Sequence, residues 1–206
     1  MIATLRIAAL ALDYPDAELL ASTGRLLDAA AAIPDREGGA ELRAFLERRA
    51  AQPEMVAQEE YVATFDFHKR ASLHLSYYRD GDRRQRGATL LGLKRRYSEA
   101  GFELTRGELP DYLPAVLEFA ALEPEEGEAV VRRMRPGLEL LRASLRDLDS
   151  PYLLVLEALE HVLPAASVDE LEQARRIALD GPPEEQVGLE PFAPPELMPP
   201  VAGAAR

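Results

Sequence analysis

The sequence predicts an all-α fold, a single-domain helical bundle. Apolar residues recur at helix-face spacing through nearly all of residues 1–180, and no run alternates apolar and polar residues as a half-buried strand would. Capping residues and prolines punctuate the chain at helix-length intervals. No repeat of fixed period occurs, which points to a compact bundle rather than a solenoid.

The elements follow in chain order. Residues 5–12 open the chain; Asp13-Tyr14-Pro15-Asp16 then breaks it, with Asp16 placed to cap a helix over 17–33. Residues 34–39 form a loop before a helix over 40–51. Pro53 opens the next helix at its first turn, where a missing N–H costs little. That helix runs to about residue 65 and sets Tyr61 and Phe65 one turn apart on the same face. A helix over 70–78 ends at the turn signal Arg79-Asp80-Gly81-Asp82. Residues 82–100 place Leu90, Leu93 and Tyr97 on one side of a helix, with Gly101 as its C-terminal cap. Pro110 starts another helix. Residues 125–147 and 151–163 follow as long helices, the first broken or kinked at Pro136-Gly137. Ser167-Val168-Asp169-Glu170 reads as a capping box for a last helix to about residue 180. From Gly181 onward seven prolines fall in 26 residues, so the expected organisation is a helical domain over 1–180 and a flexible Pro-rich tail over 181–206.

Composition narrows the function. At 206 residues the chain can bury one sizeable core. No stretch is long and uncharged enough to span a bilayer. The apolar N-terminus lacks a basic leader, and Asp13-Tyr14-Pro15 stands where small cleavage-site residues would be. A first helix is expected rather than a signal peptide, in a cytoplasmic protein without direct membrane insertion. Cysteine is absent, which removes disulfides and thiolate metal ligands. The net charge of −12 disfavours nucleic acid. Within it, the block from Lys69 to Arg96 carries +7 and the remainder −19. Arg83 with Lys94, and Arg84 with Arg95, stand three turns apart and stack into a basic stripe, which a solvated helix face explains. An acidic remainder favours basic partners.

Catalytic equipment is sparse. His68, His74 and His161 lack the spacing of a zinc site, and Glu157 with Glu160-His161 does not match the offset of di-metal carboxylate bundles. Gly87 to Gly92 lacks the Gly-Lys-Ser/Thr ending of a phosphate loop, and no nucleophile elbow occurs. The expectation is a protein that is not an enzyme and holds no metal or cofactor.

Binding equipment is denser. Glu108-Leu-Pro-Asp-Tyr-Leu-Pro-Ala-Val-Leu-Glu118 sets two prolines and three acids at the mouth of an apolar helix. Asp111 at the positive end of that helix either caps it or joins Glu108 and Glu118 on the rim of an apolar groove. Tyr61 and Phe65 could floor such a groove or fill the core.

These residues also carry a family resemblance. Asp13-Tyr-Pro-Asp16, Tyr61-Val-Ala-Thr-Phe-Asp66, Ser72-Leu-His-Leu-Ser-Tyr-Tyr-Arg-Asp-Gly-Asp82, Arg86-Gly87, Glu108 to Pro114 with Leu117-Glu-Phe119, and Glu184-Glu-Gln-Val187 resemble the delta-subunit assembly chaperones of respiratory nitrate reductase. Those belong to the wider redox-enzyme maturation chaperones. The resemblance implies an all-helical protein that binds the basic amphipathic N-terminal segment of the catalytic (alpha) subunit. It would hold the apo-enzyme for molybdenum cofactor insertion before membrane attachment, as a monomer or weak homo-oligomer. The alternatives are a chaperone of another molybdoenzyme and a small helical metal protein or enzyme. The client-binding residues it implies are Tyr61, Phe65, Asp66, Tyr78, Glu108, Pro110, Asp111, Tyr112, Pro114 and Glu118. Charge reversal at Asp111 or Glu118 is expected to weaken client binding with the fold intact. The wider family carries histidine where this chain has Tyr112. The tail segment from Val187 to Phe192 is apolar enough to occupy the groove in the free protein.

Overall fold

The structure, a computed structural model, describes residues 1–81, 84–104 and 107–180. The tail beyond residue 180, with its proposed groove-filling segment, lies outside the described residues. Eleven α-helices make up the described fold: α1 (Ile2–Ala11), α2 (Ala17–Ala21), α3 (Thr23–Ala31), α4 (Gly39–Ala50), α5 (Glu54–Phe65), α6 (Leu75–Asp80), α7 (Arg84–Glu99), α8 (Leu113–Leu122), α9 (Pro124–Asp147), α10 (Leu153–Glu160) and α11 (Val168–Asp180). Short 3₁₀ turns lie at Asp35–Glu37 and Lys69–Ala71. Among the described residues the only β-type pairing is one antiparallel bridge between His74 and Tyr112.

Helix α8 is the centre. It is apolar on nearly every side, so it must be enclosed, and it packs between α1 and α9. Val116, Leu117 and Phe119 on it are fully buried. Helices α4 and α10 join this core from α1's far side, while α6 and α11 pack on α9. The α8–α9 contact is close because Gly127 carries no side chain: a Cβ there would fall 2.3 Å from the Ala120 Cα. Gly127→Ala should force the two helices apart at a cost of about 1–3 kcal/mol. A chain of this size would then melt roughly 3–10 °C lower, which differential scanning calorimetry would read.

Several sequence expectations hold at atomic detail. Asp16 accepts from the Leu19 N–H at 2.8 Å. Ser167 and Glu170 close the reciprocal capping box at 3.2 and 2.7 Å. Gly101 follows α7 with a φ of 74°. Others need correction. The helix expected over 17–33 divides at Ser22, whose hydroxyl donates to the Leu19 carbonyl and competes with the helical ladder. Residues 72–74 are extended rather than helical, because the backbone there pairs with residues 111–113. Helix α9 runs continuously through Pro136-Gly137. Gly137 lets it approach α6, since a Cβ would meet the Leu75 carbonyl at 2.6 Å.

Candidate functional site

The Pro-Asp segment is not the first turn of its helix. Tyr112 is the N-cap residue of α8, and Pro110-Asp111 precedes it in a turn closed by the Tyr112 N–H donating to the Leu109 carbonyl at 3.0 Å. Leu75 N–H donates to the Asp111 carbonyl at 3.0 Å and Leu113 N–H to the Leu73 carbonyl at 2.8 Å. This pairing of two distant segments drives the Asp111 side chain inward.

Asp111 is fully buried. His74 Nδ1–H donates to its Oδ1 at 3.2 Å; Ser76 Oγ–H and Arg86 Nη2–H donate to its Oδ2, the latter at 3.3 Å. Burial alone would push this carboxyl up. The hydrogen bonds from His74 and Ser76 and the charges of His74 and Arg86 outweigh it, and hold the carboxyl below its ordinary range. The expectation of a rim carboxylate is therefore wrong for Asp111, as is the alternative of a helix cap. Its charge reversal cannot leave the fold intact. A buried charge would lose its partners and a second would be forced in.

A second carboxylate repeats the scheme one turn along. Asp80 takes two bonds from Arg79, at 2.8 and 2.9 Å, and one from Thr89 Oγ1 at 2.7 Å. Its carboxyl, raised by burial, is pulled below the ordinary range by those donors. Arg86 and Thr89 both belong to α7, so two buried carboxylates clamp the start of that helix.

The aromatic candidates serve the core. Tyr61 and Phe65 pack at 4.9 Å between centroids and both meet Tyr152. Tyr61 OH bonds Tyr112 OH at 3.2 Å, and Tyr112 OH donates to Asp13 at 3.3 Å. Burial pushes the Tyr61 hydroxyl up to about 12. Tyr78 is buried with its hydroxyl on the carbonyls of Arg70 and Ser72. Pro114 is buried within α8, Asp66 is exposed, and Glu118 is exposed beside Arg6, Leu10 and Leu122. The structure thus does not gather the ten expected residues in one groove, nor Glu108, Asp111 and Glu118 on one rim. It does bring an imidazole to the Pro-Asp segment: His74 stacks on Tyr112 at 5.4 Å and bonds the neighbouring Asp111.

Glu108 and Pro110 line a different feature, a cleft of about 630 Å³ between α7 and residues 102–104 and 107–110. Leu90, Leu91, Phe102, Leu104 and Leu109 supply apolar surface, and Tyr97 closes the floor, its hydroxyl on the Pro110 carbonyl at 2.8 Å. Leu91 and Leu109 are 52% and 39% exposed, large apolar groups left in water. Glu103 and Glu108 stand on the loop wall and Lys94 on the helix wall. A smaller cleft at the end of α1 holds Asp13, Asp16 and Glu18, with less apolar surface. Among the described residues no cluster of three or more His, Asp or Glu could hold a metal, and no helix is long and apolar enough to cross a membrane.

The cleft was partly hidden in the sequence. Leu90 reads as core, but Leu91, out of phase with Leu93 and Tyr97, was the available signal for a second apolar face. Nothing local connects Asp111 with Ser76 and Arg86, which come from 35 and 25 residues away.

The chain is similar to several known proteins. Residues 28–158 match the family described as nitrate reductase delta subunit. A probable nitrate reductase molybdenum cofactor assembly chaperone, NarJ, of Bacillus subtilis is 36% identical over 79% of this chain and 91% of its own length. The nitrate reductase molybdenum cofactor assembly chaperone NarJ of Escherichia coli is 33% identical over 81% of this chain and 72% of its own. The crystal structure of a protein from Archaeoglobus fulgidus, described as a putative redox enzyme maturation protein, shares the fold, with a TM-score of 0.59 at 21% identity, over 77% of this chain and 90% of that one.

Proposed function

The chain belongs to the nitrate reductase delta subunit family, and on that premise we propose that it is an assembly chaperone for nitrate reductase that works by binding rather than turnover. Its client is the N-terminal segment of the catalytic alpha subunit. Holding that segment keeps the apo-enzyme open for molybdenum cofactor insertion and away from the membrane until insertion is complete.

The observation that carries this reading is the α7 cleft, an apolar trough with carboxylates on one wall. An amphipathic basic helix needs such a surface: its apolar face buries against Leu90, Leu91, Leu104 and Leu109 while its cations face Glu103 and Glu108. Apolar burial supplies affinity, and the net charge of −12 speeds encounter with a basic segment. Glu118 and Asp66, both exposed but not lining this cleft, have no part in the contact.

Charge tests it. Glu103→Lys should weaken binding of a synthetic alpha-subunit N-terminal peptide roughly tenfold at low salt, with the deficit shrinking as salt screens it. Equal affinity of variant and wild type in calorimetric titrations at low salt would remove the carboxylate wall from the site.

A further inference from the structure

Helix α7 contains two glycines at exposed interior positions, Gly87 and Gly92. A Cβ at either would meet nothing within 4 Å among the described residues, and neither glycine has a positive φ. Among the described residues no packing or backbone demand accounts for them, although glycine inside a helix is unfavourable relative to alanine. Their faces differ. Leu90, Leu91, Lys94 and Ser98, which line the cleft, lie three, four, seven and eleven residues after Gly87, the offsets that keep side chains on one face of a helix. Gly92, five residues on, falls off that row.

The turn around Gly87 is also held in place. Arg86 before it bonds the buried Asp111 and Ser76, and Thr89 after it bonds the buried Asp80. A weak helical position clamped on both sides presents a bare strip of backbone in a fixed place. That strip lies on the same helix face about one turn before Leu90 and Leu91, toward the start of α7.

We infer that Gly87 is a close-approach position for the client: the bound segment crosses α7 there, its backbone nearer to the helix than any side chain would allow. This deepens the proposed function and rests on it. The client class it selects is a helix with a small residue or bare turn at the crossing, followed by larger apolar residues toward Leu90 and Leu91. A long side chain at the crossing is rejected by the steric limit that packed helices impose.

The test uses the full chain, the same synthetic alpha-subunit N-terminal peptide, and three variants: Gly87→Leu, Gly92→Leu and Leu91→Asp. Both glycine replacements should raise the melting temperature by about 2 °C, since leucine favours helix and has open space. Only Gly87→Leu should weaken peptide binding, about tenfold, while Gly92→Leu binds as wild type. Wild-type or tighter binding by Gly87→Leu overturns the inference, as does equal weakening by Gly92→Leu, which would trace the effect to helix stiffness. Leu91→Asp separates the two levels. If it too binds normally, the cleft is not the client site at all; if it abolishes binding while Gly87→Leu does not, only the close approach fails.

Discussion

Asp111→Ala is expected to lower the melting temperature by about 10 °C. The carboxylate is fully buried and accepts from three side chains on two other segments. Removing it takes a buried counter-charge from the Arg86 guanidinium, only 18% exposed, and takes from the Ser76 hydroxyl the carboxylate it donates to. Breaking a buried charge pair from one side costs about 3–5 kcal/mol, and each kcal/mol moves a chain of this length by roughly 2–4 °C. Asp111→Asn should be milder, because the amide oxygen still accepts while the charge is gone.

The pH dependence follows with a definite sign. The folded-state carboxyl is held below its ordinary range, so its contribution is present above the unfolded-state pKa. It is lost as pH falls through the lowered folded value, in the acid region below about pH 4. Thermal melts of Asp111→Asn should lose part of the wild-type acid slope. Asp80 keeps a remainder, since its own carboxyl is lowered in the same direction.

The second large effect concerns binding alone. Leu91→Asp combined with Leu109→Asp should lower affinity for the alpha-subunit N-terminal peptide by about a hundredfold or more. In the free protein Leu91 is 52% and Leu109 39% exposed, so the fold has less to lose than at a core leucine. On binding, each would bury the part of its side chain still exposed, worth about 0.6–1.5 kcal/mol; a tenfold change corresponds to about 1.4 kcal/mol, and forcing a carboxylate under an apolar face supplies the rest of the loss. The aspartates add desolvation cost and, for a basic client, a partial electrostatic return. The apolar loss exceeds that return if burial is the main source of affinity.

Much of the fold was legible in the sequence because helices are local. The cap at Asp16, the capping box at Ser167, the Tyr61–Phe65 face and the end of α7 at Gly101 depend on residues a few positions apart. The site was less legible because it is not local. Asp111 beside Pro110 carries every mark of a helix start. Its actual role depends on residues 72–76 arriving from another part of the chain. An isolated antiparallel bridge of one residue pair leaves no alternating pattern to find. Leu91 and Leu109 look like ordinary apolar positions until the packing shows that their faces are left uncovered. The Tyr112 substitution gains a physical account as well. The imidazole next to Asp111 comes from His74 across the bridge, and Tyr112 instead ties the segment to Asp13 and Tyr61.

The central claim is that the α7 cleft is where the client binds. Isothermal titration calorimetry of the full chain with the alpha-subunit N-terminal peptide, wild type against the Leu91→Asp, Leu109→Asp double variant, tests it most directly. The account predicts that the variant melts within about 2 °C of wild type, as surface substitutions do, and shows no measurable binding heat where wild type saturates. Saturation of the variant at the wild-type dissociation constant would contradict it.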